Sequence, residues 1–182
     1  MVVSRRLAIA ALAAVVALAL LLWPRSHPRA PTPRARGIAA VVVRGVDGDT
    51  LVARAGGRTF YVRLLGIDTP ETHRPGTPVE CGGPQASAHM NALAPAGTRI
   101  RLETDPTQDR LDRYGRLLAY VWLPGGRLAE TEELESGWAM TYVYHGHPVE
   151  LFSRLAAAAR DARAARRGVW ALCGGDFHSA SD

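Results

Sequence analysis

The stretch from residue 38 to residue 65 leaves few folds open. Three apolar runs follow one another there: 38–44 (IAAVVVR), 51–54 (LVAR) and 59–65 (TFYVRLL). Each is too short for an isolated helix and is rich in β-branched or aromatic side chains. Asp47-Gly48-Asp49 separates the first two runs and Gly56-Gly57 the next two, both hairpin-type turns. The chain is therefore expected to open with three consecutive strands. Two further strand candidates lie at 98–103 and 117–123. Helix formers fill 84–94 behind Pro84, and an acidic helix is expected at 130–135 before Gly137. A longer helix is expected at 148–167, with Leu151, Phe152, Leu155, Ala158 and Ala159 on its apolar face. Five strands with about three helices interposed or appended predict an α+β chain built on a small five-stranded β-barrel of the OB type.

Ahead of this domain, residues 7–23 are uniformly apolar and follow Arg5 and Arg6, the pattern of a signal peptide or a signal anchor. No cysteine follows the run, which excludes lipid attachment there. Residues 24–36 hold four of the 12 prolines and read as an extended linker. The expected division is 1–23 hydrophobic helical segment, 24–36 linker, 37–175 domain and 176–182 tail. The distribution of arginines around the apolar run, taken alone, would leave the domain in the cytoplasm. Export is expected nonetheless, with the domain outside the cell or held at the membrane through residues 7–23. The two cysteines support this. Cys81 and Cys173 would most naturally pair in an exported protein, at roughly 3–5 kcal/mol of chain-entropy stabilisation. The alternative is two unrelated buried thiols. Neither stands at zinc-ligand spacing.

Net charge misleads if read for the whole chain. The sequence carries +5, but six of its 22 basic residues precede residue 37 and no acidic residue does, so the domain has 16 basic against 17 acidic groups. Affinity for a polyanion must then come from a local cluster rather than from an overall field. Every basic residue is arginine.

Three segments carry chemistry. DGDT at 47–50 is a hairpin turn, yet Asp49 stands at the start of a strand, an odd place for a carboxylate that binds nothing. RLLGIDTPET at 63–72 places Arg63 inside an apolar strand, where a charge is costly unless paired or facing a ligand. It then sets Asp68 and Glu71 on either side of Thr69-Pro70, whose restricted backbone can aim two carboxylates in different directions. DRYGR at 112–116 leads Arg116 into a strand. Each has a bland reading: a plain turn, an Asx turn with a surface glutamate, a turn before a strand. Together they supply oxygen donors for a hard cation at Asp49 and Asp68, and a general base at Glu71. They also supply two guanidiniums, Arg63 and Arg116, for bidentate hold on a phosphate. Tyr114, Tyr142 and Tyr144 can stack on bases, or simply pack.

At these residues the chain resembles the staphylococcal nuclease family. The likeness runs from about residue 41 to 170 through DGDT, RLLGIDTPET, VECGGPQAS, DRYGRLLAY, GWAMTYVY and RRGVW. It implies a monomeric Ca²⁺-dependent endonuclease that hydrolyses single-stranded or unwound DNA and RNA to 3′-phosphate products. By position it implies Asp49 and Asp68 as calcium carboxylates with the Thr69 carbonyl. Arg63, Glu71 and Arg116 fall on the catalytic positions, and Arg113, Tyr114, Leu118, Tyr142 and Tyr144 on nucleotide contacts. Some residues depart from the family pattern. Gly66 stands where a larger apolar residue is ordinary in a strand, and the 73–79 loop has no lysine. The acidic 130–135 helix places Glu132 near an expected apolar position, so that helix is expected to be shifted in register or poorly buried, and it would weaken nucleic-acid affinity. The competing readings are a non-catalytic nucleic-acid-binding OB-type module on a membrane anchor and an extracellular interaction domain. Neither needs all five of Asp49, Arg63, Asp68, Glu71 and Arg116.

Overall fold

The computed structural model describes residues 37–72 and 78–177. The apolar run at 7–23, the linker and most of the lysine-free loop lie outside the described residues. Among those described, no helix is long and apolar enough to cross a membrane.

Five strands close into a barrel in the order β1-β2-β3-β6-β5: β1 (Ile38–Gly45), β2 (Thr50–Ala55), β3 (Arg58–Leu64), β5 (Arg99–Glu103) and β6 (Leu117–Trp122). The first three are the expected meander of hairpins, and β3 meets β6 in parallel, setting Arg63 opposite Leu118. Alternation fills the barrel. Val42, Leu51, Ala53, Val62, Leu64, Ile100, Leu102, Ala119 and Val121 point inward and are buried, as a closed sheet with one wet face requires. A register shift between Val42 and Arg44 lets Val42 stay inside while Arg44 turns outward.

A short antiparallel pair, β4 (Ile67–Asp68) with β7 (Met140–Thr141), is added beside the barrel. It explains Gly66. This residue is in the turn between β3 and β4 rather than inside a strand, with φ +73°. An added Cβ would lie 2.7 Å from both Leu155 and Val149. Only glycine meets both demands.

The helices are α1 (Gly83–Leu93), α2 (Ala129–Glu135), α3 (Phe152–Ala164) and a single turn, α4 (Val169–Leu172). The expected apolar face of α3 is Leu155 and Ala158 at its centre, joined by Ala162, with Leu151, Phe152 and Ala159 half-buried. The helix begins four residues after Pro148.

The acidic helix is not the surface feature expected. Glu130 and Glu133 are fully buried, while Glu132 sits at the margin and pairs with Arg127 at 3.2 Å. Glu130 accepts the Val121 N–H at 3.1 Å. Glu133 meets His89 Nδ1 on α1 at 3.0 Å. Two carboxylates thus stand where apolar side chains would ordinarily fill the space between α2 and its neighbours. Burial pushes Glu130 up to about 8 and Glu133 up to about 7.

Cys81 and Cys173 form a disulfide across 92 residues of sequence, a span worth about 4–5 kcal/mol in the chain-entropy picture. It joins the segment before α1 to the residue that ends α4. The packed unit continues to Phe177, which is fully buried.

Candidate active site

The β1–β2 turn, the end of β3, β4 and the turn before β6 meet at one end of the barrel. Asp49 is 5% exposed at the foot of β2. Its Oδ1 accepts the Thr50 hydroxyl at 3.0 Å, and its Oδ2 accepts the Thr69 N–H at 3.0 Å and lies 3.0 Å from Arg63 Nη2. Asp68 Oδ1 accepts from the same Nη2 at 2.9 Å. Arg63 Nη1 donates to the carbonyls of Leu64 at 2.9 Å and Ile67 at 2.8 Å. One guanidinium therefore bridges both aspartates and is locked in orientation by two backbone oxygens. Burial would lower its pKa, but the charges of Asp49, Asp68 and Asp47 outweigh that and raise it.

Arg116 is aimed differently. The Asp112 side chain caps its own turn by accepting the N–H groups of Tyr114 and Arg116, each at 2.9 Å. Its second oxygen accepts from Arg116 Nε at 2.6 Å. Arg116 Nη1 reaches the Thr50 hydroxyl at 3.3 Å. Thr50 thus touches Asp49 on one side and Arg116 on the other, and it pairs with Arg63 across the β2–β3 ladder. Burial would raise Asp112, yet these hydrogen bonds and the Arg116 charge hold it below the usual carboxylate range.

Glu71 follows Pro70 on the same loop. Its Oε1 accepts the Thr72 N–H at 3.0 Å, while its own N–H donates to Glu80 Oε2 at 2.8 Å. The Glu80 N–H returns a bond to the Glu71 carbonyl at 3.0 Å. Glu80 is 3% exposed and adjoins the disulfide at Cys81. The backbone of Glu71 is thereby clamped to a segment that is covalently tied to α4.

Arg63, Asp68 and Arg116 open onto a groove of about 770 Å³, a size that suits a nucleotide-scale ligand. Arg113, Tyr114, Leu118, Tyr142 and Tyr144 all line it. Tyr114 is 68% exposed and lies under two guanidiniums, those of Arg113 at 4.8 Å and Arg116 at 5.4 Å. Tyr144 stacks on His145 at 4.0 Å.

Of the residues singled out in the sequence, Arg63, Asp68, Arg113, Tyr114, Arg116, Leu118, Tyr142 and Tyr144 line the groove, and Asp49 and Thr69 adjoin it through Arg63. Glu71 is on the loop after β4 and is not part of the groove lining, and four further residues were missed by sequence reasoning. Thr50, Glu80 and Asp112 hold the others in place. Asp47, read as a turn residue, accepts the Asp49 N–H at 3.1 Å and is pushed up to about 7 by burial and by the Asp49 charge beside it. The spacing of DGD was the available signal for Asp47. Glu80 lies nine residues from Glu71 and offered none.

The residues suit a hard cation. Asp49 and Asp68 side chains and the Thr69 backbone offer oxygen only. With Asp47 and Glu71 close by, the carboxylates here outnumber the one guanidinium that bridges Asp49 and Asp68. No group of three His, Cys, Asp or Glu side chains placed to hold a metal occurs among the described residues, so water would complete any coordination shell.

Comparison with known proteins matches this architecture. A model of the family described as staphylococcal nuclease homologue matches residues 61–172. The chain is 32% identical over 160 residues to a thermonuclease of Staphylococcus hyicus, covering 87% of this chain and 92% of that protein. It is 39% identical over 109 residues to a thermonuclease of Staphylococcus intermedius, covering 60% of this chain and 62% of the relative. It is 30% identical over 171 residues to a micrococcal nuclease of Shigella flexneri, covering 90% and 87%. With the barrel, the bridged aspartates and these matches in hand, the chain belongs to the staphylococcal nuclease family.

Proposed function

We propose that this protein is a nuclease that hydrolyses phosphodiester bonds of DNA and RNA in a calcium-dependent reaction, leaving 3′-phosphate ends. The observation that carries this reading is the placement of Arg63, Asp68 and Arg116 on one tyrosine-lined groove, with Asp49 paired to Arg63 beside it. Asp49, Asp68 and the Thr69 carbonyl would hold Ca²⁺. The ion would polarise a phosphoryl oxygen and favour deprotonation of a nearby water. Glu71, its backbone clamped by Glu80, would accept the proton of the attacking water. Arg63 and Arg116 would grip the phosphate and offset the charge added as phosphorus becomes five-coordinate. Their orientation by Leu64, Ile67 and Asp112 supports this role, because stabilisation by groups already in place costs no reorganisation. Tyr114, Tyr142 and Tyr144 would receive unstacked bases, so single-stranded or unwound substrate is favoured. The disulfide and the apolar segment at 7–23 support export of the domain.

The test is incubation of the full-length chain with single-stranded DNA and with RNA, in Ca²⁺ and then in chelator. Cleavage that needs Ca²⁺ and leaves 3′-phosphates is expected. A folded protein that binds these strands and cleaves neither would instead be a nucleic-acid-binding module.

A further inference from the structure

The groove takes in the end of β3 at Arg63. Away from it, the same outward face of the sheet continues as a second charged surface. Along β2 and β3 the residues that share the outward face with Arg63 are Thr50, Val52 and Arg54, and Tyr61 and Thr59. The ladders extend this face across the barrel. Arg99 of β5 opposes Val41 of β1, Val41 opposes Arg54 of β2, and Arg54 opposes Thr59 of β3. In the next row Arg44 opposes Val52, which opposes Tyr61. Arg44, Arg54 and Arg99 are exposed, and Tyr61 is 47% exposed. Arg44 reaches over Val52 to Tyr61, its guanidinium 6.0 Å from the ring centre and 3.4 Å from the hydroxyl. No acidic residue occurs in β1, β2 or β3, although the domain as a whole carries slightly more acidic than basic groups. The shift of register after Val42 is what brings Arg44 to this face.

We propose that this face is a track for a single-stranded polynucleotide, on which the strand continues past the cleavage site. The inference rests on the nuclease reading and names where a long substrate lies. Arg99, Arg54 and Arg44 meet successive phosphates, and Tyr61 offers a ring for a base. Tyr61 stands two residues from Arg63 on the same face, a separation of about 7 Å along the strand, so the track begins where the groove ends. Arginine on a rigid sheet suits phosphate recognition, and an aromatic ring among the guanidiniums suits an unpaired base. Its contacts are to phosphates and one ring, so it discriminates by length of substrate rather than by base.

The experiment uses the full chain carrying Glu71→Gln, so that strands survive, and labelled oligothymidylates of two and of twelve nucleotides. Arg44→Ala, Arg54→Ala and Arg99→Ala are combined in one variant. Binding of the long strand is expected to weaken at least about tenfold at low salt, and its log K against log[salt] slope to become shallower by about 2, at about 0.7 per phosphate released. Binding of the dinucleotide, which the groove alone holds, stays the same. A control with Arg160→Ala and Arg163→Ala, which removes charge from α3, leaves both unchanged. A charge-conserving Arg44→Lys, Arg54→Lys, Arg99→Lys variant keeps most of the salt slope, which guards against a folding defect. Equal losses for both lengths, an unchanged slope, or an equal effect of the α3 control would overturn the track. Absence of cleavage by the unsubstituted chain would remove the nuclease reading, whereas this binding measurement needs no turnover and still decides the track.

Discussion

Two regions of this small domain bury carboxylates, and they do so to opposite ends. At the mouth of the barrel, Asp47, Asp49 and Asp68 crowd around a single guanidinium beside an open groove. On α2, Glu130 and Glu133 are enclosed completely, one against the Val121 N–H of β6 and the other against His89 of α1. In both regions burial raises a carboxyl pKa, Asp47 in the first and both glutamates in the second. A raised pKa is thus no mark of a site by itself. What separates the regions is the surroundings. The first has several carboxylates, access to solvent and two guanidiniums lining an open groove. The second has no access to solvent, and burial favours the protonated form of its acids.

The largest effects should come from the open region. Glu71→Gln is expected to lower kcat by about 10²–10⁴-fold with nearly unchanged strand binding. Arg63→Lys should lose at least about 10²-fold, because an ammonium cannot span Asp49, Asp68 and two carbonyls together. Single-turnover cleavage beside a binding isotherm checks both, and near-normal rates in either would take that residue out of the chemistry.

Next comes the link between fold and site. Cys81→Ser with Cys173→Ser should lower stability by about 2–5 kcal/mol, read from denaturant midpoints. Because Cys81 adjoins the Glu80 that holds the Glu71 N–H, kcat should fall more than the strength of binding. Amide exchange at Glu71 should quicken before exchange in β3. Loss of stability with kcat intact would make the disulfide purely structural.

The closed region should respond in stability alone. His89→Leu leaves Glu133 buried without its partner, at a cost on the order of 3 kcal/mol above neutral pH. His89→Leu with Glu133→Leu should recover most of it. Failure of the double variant to recover would mean that the pair does more than fill space. The smallest effect concerns pH. Glu130 and Glu133 have folded values above their ordinary 4.5. The stability they contribute is complete below about that pH and is lost as pH rises through about 7–8. His89 is raised chiefly by its hydrogen bond to Glu133 and acts in the same direction. Glu130→Gln should flatten this decline between pH 5 and 8. Unfolding curves at the two pH values, with activity unchanged, would check it.

Much of this was legible in the chain. Strand boundaries came within a residue or two, because alternation and Gly-containing turns are local properties. Eight of the eleven candidate site residues line the groove, and each of the eleven sits in a short motif that could be read locally. The helix at α2 was misjudged in its burial: EEL at 132–134 looks like a solvated face, and nothing local shows that Val121 and His89 are waiting for Glu130 and Glu133. Gly66 looked like an anomaly for the same reason, since Leu155 and Val149 come from far along the chain.

The sequence by itself determined the strand order of the opening meander, the turns, and which side chains are candidates to carry chemistry. Only the tertiary structure decided that one guanidinium bridges two aspartates, that Glu80 clamps Glu71, that Cys81 meets Cys173, and that Arg44, Arg54 and Arg99 share one face. Periodicity and turn chemistry act over a few residues. Charge balance, enclosure and cross-strand register depend on partners dozens of residues away, and those distances are set only when the barrel closes.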